Sequence, residues 1–172
     1  MNASRLLSTA VAAFIAGGCT IPVASPPAPA PTPVSSGRYA ATVSRIFDLI
    51  NAQRRHQGLP YLVYNAQLDQ MANIQAQNMA HFQKMAHVIP EATLPTMTDR
   101  ARYVAYPFGR LAENVALGFP DAETVVQGWM TSKGHRANIL NSDVVETGIA
   151  IARSSAGGLY YCQVFGRRLS SL

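Results

Sequence analysis

Cysteine is scarce in this chain, and acidic residues are missing from its start. Two of the 172 residues are cysteine, Cys19 and Cys162, and the first acidic residue is Asp48. Two cysteines allow at most one internal disulfide, and a domain of this size can fold without one. With 48% hydrophobic and 13% charged residues, the composition is not that of a disordered chain and leaves room for one globular domain.

Sequence patterns typical of several function classes are also absent. The formal net charge is +5, but the basic residues are scattered apart from Arg54-Arg55 and Arg167-Arg168. A nucleic-acid partner is therefore not expected, since binding one usually takes a dense basic stripe. The chain also lacks the G-x-S-x-G, H-E-x-x-H, P-loop and G-x-G-x-x-G motifs, which excludes the commonest hydrolase and nucleotide-binding patterns.

The first residues are typical of an exported protein. Arg5 precedes an apolar stretch, Leu6 to Gly18, which is too short to cross a bilayer as a helix. Residues 1–18 are therefore predicted to be a signal peptide. The stretch ends in Ile15-Ala16-Gly17-Gly18-Cys19, which resembles a bacterial lipobox and implies an acylated Cys19. Ordinary cleavage with Cys19 incidental, or an uncleaved anchor, are the alternatives.

The next segment is predicted to be a spacer. Residues 19–40 contain the lipidation site and a proline-rich run from Pro22 to Pro33, and such runs favour extended, solvated polyproline II structure. With Cys19 acylated, the protein would be lipid-anchored in the bacterial cell envelope, on its periplasmic or extracellular face. The globular domain is placed at residues 41–172.

Apolar periodicity predicts three helices in this domain. The first starts near Thr42 and ends at Gly58-Leu59-Pro60. The second is capped by Asn65, and its inner face would run from Leu68 to Phe82. The third is capped by Asp121 and ended by Gly134, with Trp129 and Met130 buried. The stretch from Pro90 to Gly109 is expected to be irregular, with at most one short helix.

Two strands are predicted at the end of the chain. Residues 147–153 and 159–165 alternate in the strand pattern, and Gly157-Gly158 lies in the turn between them. Neither strand has a polar face, so helices must cover both faces of the sheet. The predicted fold class is therefore α+β, a three-layer α-β-α sandwich with a small antiparallel sheet.

Several segments, in the same order, resemble the CAP superfamily of cysteine-rich secretory, antigen 5 and pathogenesis-related proteins, also called SCP-like. Ala112-Glu113-Asn114 is similar to the family's Gly-Glu-Asn motif, with Ala112 where glycine is usual. The resemblance is to the bacterial branch, which lacks the disulfide-rich extension. The matching segments are Leu49 to Arg55 with Gly58 to Pro60, Met85 to His87, Ala112 to Ala116, Gly128 to Leu140, Thr147 to Ala150 and Tyr160 to Gly166.

The resemblance implies a cleft lined by His87, Glu113 and His135. Eukaryotic members often carry a second glutamate at the position of Ser132, so a mechanism that needs two carboxylates is in doubt here. The cleft residues suit three roles: a Zn²⁺ or other divalent metal site using His87 and His135, general acid-base chemistry, or a hydrogen-bonded network that only orders the cleft. No catalytic residue is assigned. Cys162 is expected to be a core residue and not a nucleophile.

Three functions are compatible with these residues, and a binding module is favoured over an enzyme. The protein is predicted to be a membrane-tethered binding module for an extracellular lipid or protein ligand, and the resemblance implies a sterol or a fatty acid as the lipid. The alternatives are an envelope hydrolase, acting on peptides or the cell wall through the His-Glu-His set, and a structural or stress-related envelope protein.

Overall fold

A single mixed sheet organises the helices of this chain. The computed structural model describes residues 37–169, so the predicted signal peptide, Cys19 and the proline-rich run lie outside the described residues. Within residues 37–169, no helix is long and apolar enough to cross a membrane. In chain order the elements are α1 (Ala40–His56), β1 (Val63–Tyr64), α2 (Ala66–Phe82), α3 (Met97–Tyr103), β2 (Phe108–Leu117), α4 (Ala122–Thr131), α5 (Lys133–Ile139), β3 (Glu146–Arg153) and β4 (Leu159–Arg168).

The strands lie in the order β1-β3-β4-β2. The predicted hairpin is confirmed, because β3 and β4 pair antiparallel from Glu146 opposite Gly166 to Arg153 opposite Leu159. The long strand β2 pairs antiparallel with β4 and forms an edge of the sheet. Short β1 pairs parallel with β3, so the sheet is mixed where a purely antiparallel one was expected.

Helices cover both faces of the sheet, which confirms the predicted three-layer sandwich. On one face, α2 and α3 pack against Tyr160, Cys162 and Val164. On the other face, α1, α4 and α5 pack against Tyr161 and Phe165. The alternation along β4 therefore divides the apolar side chains between two cores, as strand geometry requires.

The predicted N-terminal caps are confirmed, but the end of the third predicted helix is not where it was expected. The side chain of Asn65 accepts from the N–H groups of Gln67 and Leu68, and that of Asp121 accepts from Thr124 N–H. Helix α4 stops at Thr131 because Ser132 adopts an extended backbone. Gly134 does not end it but lies inside α5.

Two side chains on the predicted inner faces are less covered than expected. Phe82 and Met130 are each only partly buried, although both pack against a core cluster. Each lies at or next to the last turn of its helix, where fewer neighbouring elements are available to cover a side chain.

The buried Arg54 fastens α1 to the loops around β3. Its guanidinium donates to four backbone carbonyl oxygens, those of Pro60 at 2.9 Å, Ile139 and Asn141 at 2.8 Å, and Val144 at 3.3 Å. These carbonyl groups would otherwise be buried without a partner, which is costly. Arg54 therefore links α1 to the end of α5 and to the segment between α5 and β3.

Replacing Arg54 should show how much these hydrogen bonds contribute to the free energy of unfolding. We expect Arg54→Met to lower the free energy of unfolding by about 3 kcal/mol or more, because several buried acceptors lose their donor. The matched control is Arg55→Met on the exposed neighbour, which should change it by less than about 0.5 kcal/mol. Urea denaturation followed by circular dichroism measures both, and equal losses would contradict the assignment.

Two glycines should respond in opposite directions to alanine. A Cβ at Gly148 would collide with the backbone of Leu68 and Asp69 at the start of α2, whereas a Cβ at Gly134 meets nothing within 4 Å. Gly148→Ala should therefore destabilise the protein by about 2 kcal/mol or more through overpacking. Gly134→Ala should stabilise α5 by about 0.5–1 kcal/mol. Thermal denaturation of the two variants beside the wild type checks both signs.

Candidate functional site

The carboxylate of Glu113 is the centre of the predicted site. Glu113 lies on the edge strand β2 and is buried. Its Oε1 is 3.0 Å from Nδ1 of His87, and its Oε2 accepts from Nη2 of Arg100 at 2.6 Å. The thiol of Cys162 also points to Oε2, at 3.5 Å. The structure therefore brings His87 and Glu113 into direct contact, as the family resemblance implied.

Arg100 is the residue of this site that sequence reasoning missed. It is fully buried in α3. Besides Glu113, its guanidinium donates to Oε1 of Gln75 at 2.5 Å. The amide of Gln75 in turn donates to the carbonyl oxygen of Ala86 at 2.6 Å, next to His87. In sequence, Arg100 lies near Asp99 and Arg102 and has the appearance of a solvated residue, so no local signal marks it.

The one local signal in this region is a capping box. Thr96 accepts from the N–H of Asp99, and the Asp99 carboxylate accepts from the N–H of Thr96. This pattern fixes the start of α3 and so the position of Arg100 one residue later. It is readable in the sequence, but it indicates a helix start and not a site.

His87 is held from one side only. Its side chain is 56% exposed, and the hydrogen bond to Glu113 raises its pKa, opposed by burial and by the charge of Arg100. Because an ionised carboxylate only accepts hydrogen bonds, the Nδ1 of His87 carries the proton that joins the pair. Nε2 is the ring nitrogen left for a ligand in the cleft.

His135 lies beside this pair on α5, and backbone contacts fix its place. Its carbonyl oxygen accepts from the side chain of Asn114 at 3.1 Å. The amide of Asn138 donates both to the carbonyl oxygen of Glu113 at 3.2 Å and to the side chain of Asn114 at 2.9 Å. Burial lowers the pKa of His135, and the charge of His87 lowers it further.

The remaining predicted site residues take lesser places. Ser132 lies at the junction of α4 and α5 and is partly buried. Cys162 is completely buried, and its pKa is raised well above the ordinary value by burial and by the charge of Glu113. These properties agree with the predicted core role and make a thiolate nucleophile unfavourable.

The donor set does not fit a resident metal ion. Both oxygens of Glu113 are already bonded, so the predicted site offers two imidazole rings where zinc usually takes three or four protein ligands. Among residues 37–169, no group of three or more histidine, cysteine, aspartate or glutamate side chains is arranged to hold a metal. We therefore derive no chemistry for this cleft from a bound metal.

A cavity of about 420 Å³ adjoins the site. Its walls come from the start of α3, the first half of β2 and the end of α5. The wall includes Ala112, the residue before Glu113, and Asn138, which donates to the carbonyl oxygen of Glu113. A second cavity of about 430 Å³ lies between α1, α2 and β3. None of the predicted site residues His87, Glu113, Ser132 and His135 lines either cavity. The residues that line the first cavity are Met97, Thr98, Phe108, Gly109, Arg110, Leu111, Ala112, Asn138 and Asn141.

This fold and this site place the chain in a known family. Residues 47–165 match the family described as "CAP: Cysteine-rich secretory protein family". The match covers more than half of the chain, and the protein therefore belongs to the CAP family.

Curated relatives are similar over the same region. The chain is 31% identical over 128 residues to the uncharacterized protein YkwD of Bacillus subtilis, which covers 74% of this chain and 48% of the relative. It is 30% identical over 124 residues to the uncharacterized membrane protein YlbC of the same organism, which covers 72% of this chain and 34% of the relative. The chain thus spans less than half of the length of either.

Solved structures share the architecture. An extracellular protein containing an SCP domain from Bacillus anthracis is similar at a TM-score of 0.68 and 30% identity, over 74% of this chain and 41% of that one. An outer surface protein from Borrelia burgdorferi has a TM-score of 0.71 at 19% identity, over 77% and 97%. NaASP2, solved with Zn²⁺, has a TM-score of 0.55 at 12% identity, over 83% and 87%. The last two show a shared fold alone.

The two histidines should titrate on opposite sides of the ordinary histidine pKa of 6.5. Because the folded-state pKa of His87 is raised, its contribution to stability is complete below 6.5 and is lost as the pH rises through the raised pKa. In Glu113→Gln, we expect the pKa of His87 to fall, since burial and Arg100 then act on it unopposed. Histidine proton shifts followed by NMR against pH measure this.

The matched control for this titration is Asp69→Asn. Asp69 is a partly buried carboxylate in the first turn of α2, and it is not bonded to His87. The control variant should leave the pKa of His87 where it is in the wild type. An unchanged pKa of His87 in Glu113→Gln would show that the pair does not act in solution.

Proposed function

We propose that this CAP-family protein is an exported binding module, tethered to the membrane through acylated Cys19, whose cleft takes an amphipathic lipid with a carboxylate head group, such as a fatty acid. One observation carries the proposal: the cavity beside the site is lined by Met97, Phe108 and Leu111 and also by Ala112, the residue before Glu113, and by Asn138, which donates to the carbonyl oxygen of Glu113.

The charge of the cleft favours an anionic head group. The single carboxylate, Glu113, is already paired with the buried guanidinium of Arg100, so it adds little net negative charge. A protonated His87 would donate from Nε2 to a carboxylate ligand while Glu113 stabilises the imidazolium from the other side. His135, on α5 beside this pair, would supply a second polar contact.

Three apolar side chains in the cavity wall suit an acyl chain. Met97, Phe108 and Leu111 line it and also pack against the core cluster that contains α2 and α3. A volume of about 420 Å³ is in the usual range of about 300–1,000 Å³ for small-ligand sites. Each buried methylene contributes about 0.8 kcal/mol to binding, so a chain of several carbons suffices for measurable affinity.

The cellular location is supported by two independent lines of reasoning. The sequence carries the signal-peptide and lipobox patterns, and a similar solved structure, at 30% identity, is an extracellular protein. A spacer between lipid anchor and domain would leave the cleft accessible to lipids of the envelope or the surroundings.

The hydrolase hypothesis has less support from the geometry. Glu113 is not free to act as a general base, because its Oε1 is bonded to His87 and its Oε2 to Arg100. The thiol of Cys162 is buried and its pKa is raised. The site is thus arranged to hold an imidazole in place, which serves recognition as well as catalysis.

Fatty-acid binding can be measured on the purified full chain. We expect palmitate to bind, and both His135→Ala and Leu111→Glu to weaken its Kd by about tenfold, which corresponds to about 1.4 kcal/mol for one lost polar or apolar contact. His81→Ala, a histidine on the exposed end of α2, is the matched control and should bind as the wild type does. Displacement of a fluorescent fatty acid and native mass spectrometry report the affinities.

The same titration separates the other ligand classes. Binding of cholesterol alone, or loss of palmitate binding on addition of EDTA, would assign the cleft to a sterol or to a metal. Equal weakening by His81→Ala, or no binding by any variant, would contradict the proposed site.

A further inference from the structure

Two arginines are completely buried in the described part of the chain, and they have different partners. Arg54 donates only to backbone carbonyl oxygens, whereas Arg100 donates to two side chains of the candidate site, Gln75 and Glu113. We propose that Arg100 is a positioning residue: through Glu113 and Gln75 it fixes the orientation and the tautomer of His87, so that Nε2 faces the cleft.

The first step is the immobilisation of the Glu113 carboxylate. Oε2 accepts from Nη2 of Arg100 at 2.6 Å, and both side chains are almost fully buried, with 0% and 3% exposure. Rotating the carboxylate would break a charge-assisted hydrogen bond in a place without water to replace it. Oε1 is therefore held in a fixed direction, and that direction is toward Nδ1 of His87.

The second step is the placement of the backbone that carries His87. Nη1 of Arg100 donates to Oε1 of Gln75, and Nε2 of Gln75 donates to the carbonyl oxygen of Ala86 at 2.6 Å. The same guanidinium thus holds both the acceptor that His87 meets and the residue before His87. Its two bonded nitrogens set the distance between α2, the His87 segment and β2.

The third step is the tautomer. His87 is 56% exposed, so packing alone does not fix its ring. The protonation of one ring nitrogen is set by the hydrogen bond that the other makes. An ionised Glu113 accepts from Nδ1–H, which leaves Nε2 without a proton in the neutral ring and able to accept, or to bind a proton for an anionic ligand.

Removing the charge of Arg100 should reverse this arrangement. In Arg100→Met the Glu113 carboxylate loses the donor that holds its Oε2 and is free to rotate. Nδ1 of His87 then loses its fixed acceptor, and the ring proton can lie on Nε2. The positive charge of Arg100 and not its bulk is therefore the property that selects the tautomer.

The test is the tautomer of His87 read from ¹⁵N chemical shifts, recorded on the ¹⁵N-labelled full chain at a pH where the wild-type ring is neutral. We expect the Nδ1–H form in the wild type, a shift to the Nε2–H form or a mixture in Arg100→Met, and the Nδ1–H form again in Arg100→Lys, which restores the charge. Arg54→Lys, at the other buried arginine, is the control and should retain the wild-type pattern.

Folding does not obscure the result. If Arg100→Met is unfolded, Gln75→Leu tests the second step: it cuts the link to Ala86 but leaves the cation beside Glu113, and it should increase the mobility of His87 while keeping Nδ1–H. A wild-type tautomer and mobility in every folded variant would overturn the inference. So would an equal change in Arg54→Lys.

The inference rests on the proposed function only for what Nε2 meets in the cleft. The tautomer is measured without ligand, so the two proposals fail separately. A tautomer change in Arg100→Met together with no palmitate binding by the wild type would reject the lipid proposal and keep the positioning role.

Discussion

The buried ion pair between Arg100 and Glu113 is the interaction on which both the site and the packing around it depend. It joins α3 to the edge strand β2 within the core between the sheet and α2, where Gln75 is a further buried polar partner of Arg100. Breaking a buried pair by removing one partner typically costs about 3–5 kcal/mol, because the other charge is left alone. The two side chains therefore hold each other in place, and Glu113 in turn holds His87 at the cleft.

The same edge strand is fastened from the opposite layer. Trp129 of α4 donates to the carbonyl oxygen of Val115, and Asn138 of α5 donates to that of Glu113. An edge strand offers unpaired backbone groups that invite pairing with other chains, and these side chains occupy two of them. The layers on both faces of the sheet thus meet at β2, whose Glu113 and Asn114 contact His87 and His135.

Much of the fold could be predicted because its signals are local. The helical spacing of Val43, Ile46 and Ile50, the cap at Asn65 and the alternation along β4 each depend on residues close together in sequence. The family resemblance added the region of the site. Strand β2 was missed because Glu113 and Asn114 interrupt its apolar pattern, and both are tolerated only through partners elsewhere in the chain: Arg100 for the first, Asn138 for the second.

The break between α4 and α5 was misplaced for a related reason. Glycine is a common helix terminator, but Gly134 lies in open space inside α5. The chain turns at Ser132 instead, and Asn114 and Asn138 then tie α5 to β2. Helix propensity predicted the wrong residue for the end of α4, because tertiary hydrogen bonds decide where α5 starts.

The ion pair also decides the kind of ligand that the cleft can favour. A carboxylate that faced the two imidazoles freely would attract a cation. Here the buried guanidinium of Arg100 offsets the charge of Glu113. The uncharged Ser132 occupies the position at which eukaryotic members of the family often have a second glutamate. What remains at the surface is the imidazole of His87, with its pKa raised by Glu113, and that of His135. Such a cleft becomes more positive as the pH falls, and this is the electrostatic basis of the proposed anionic ligand.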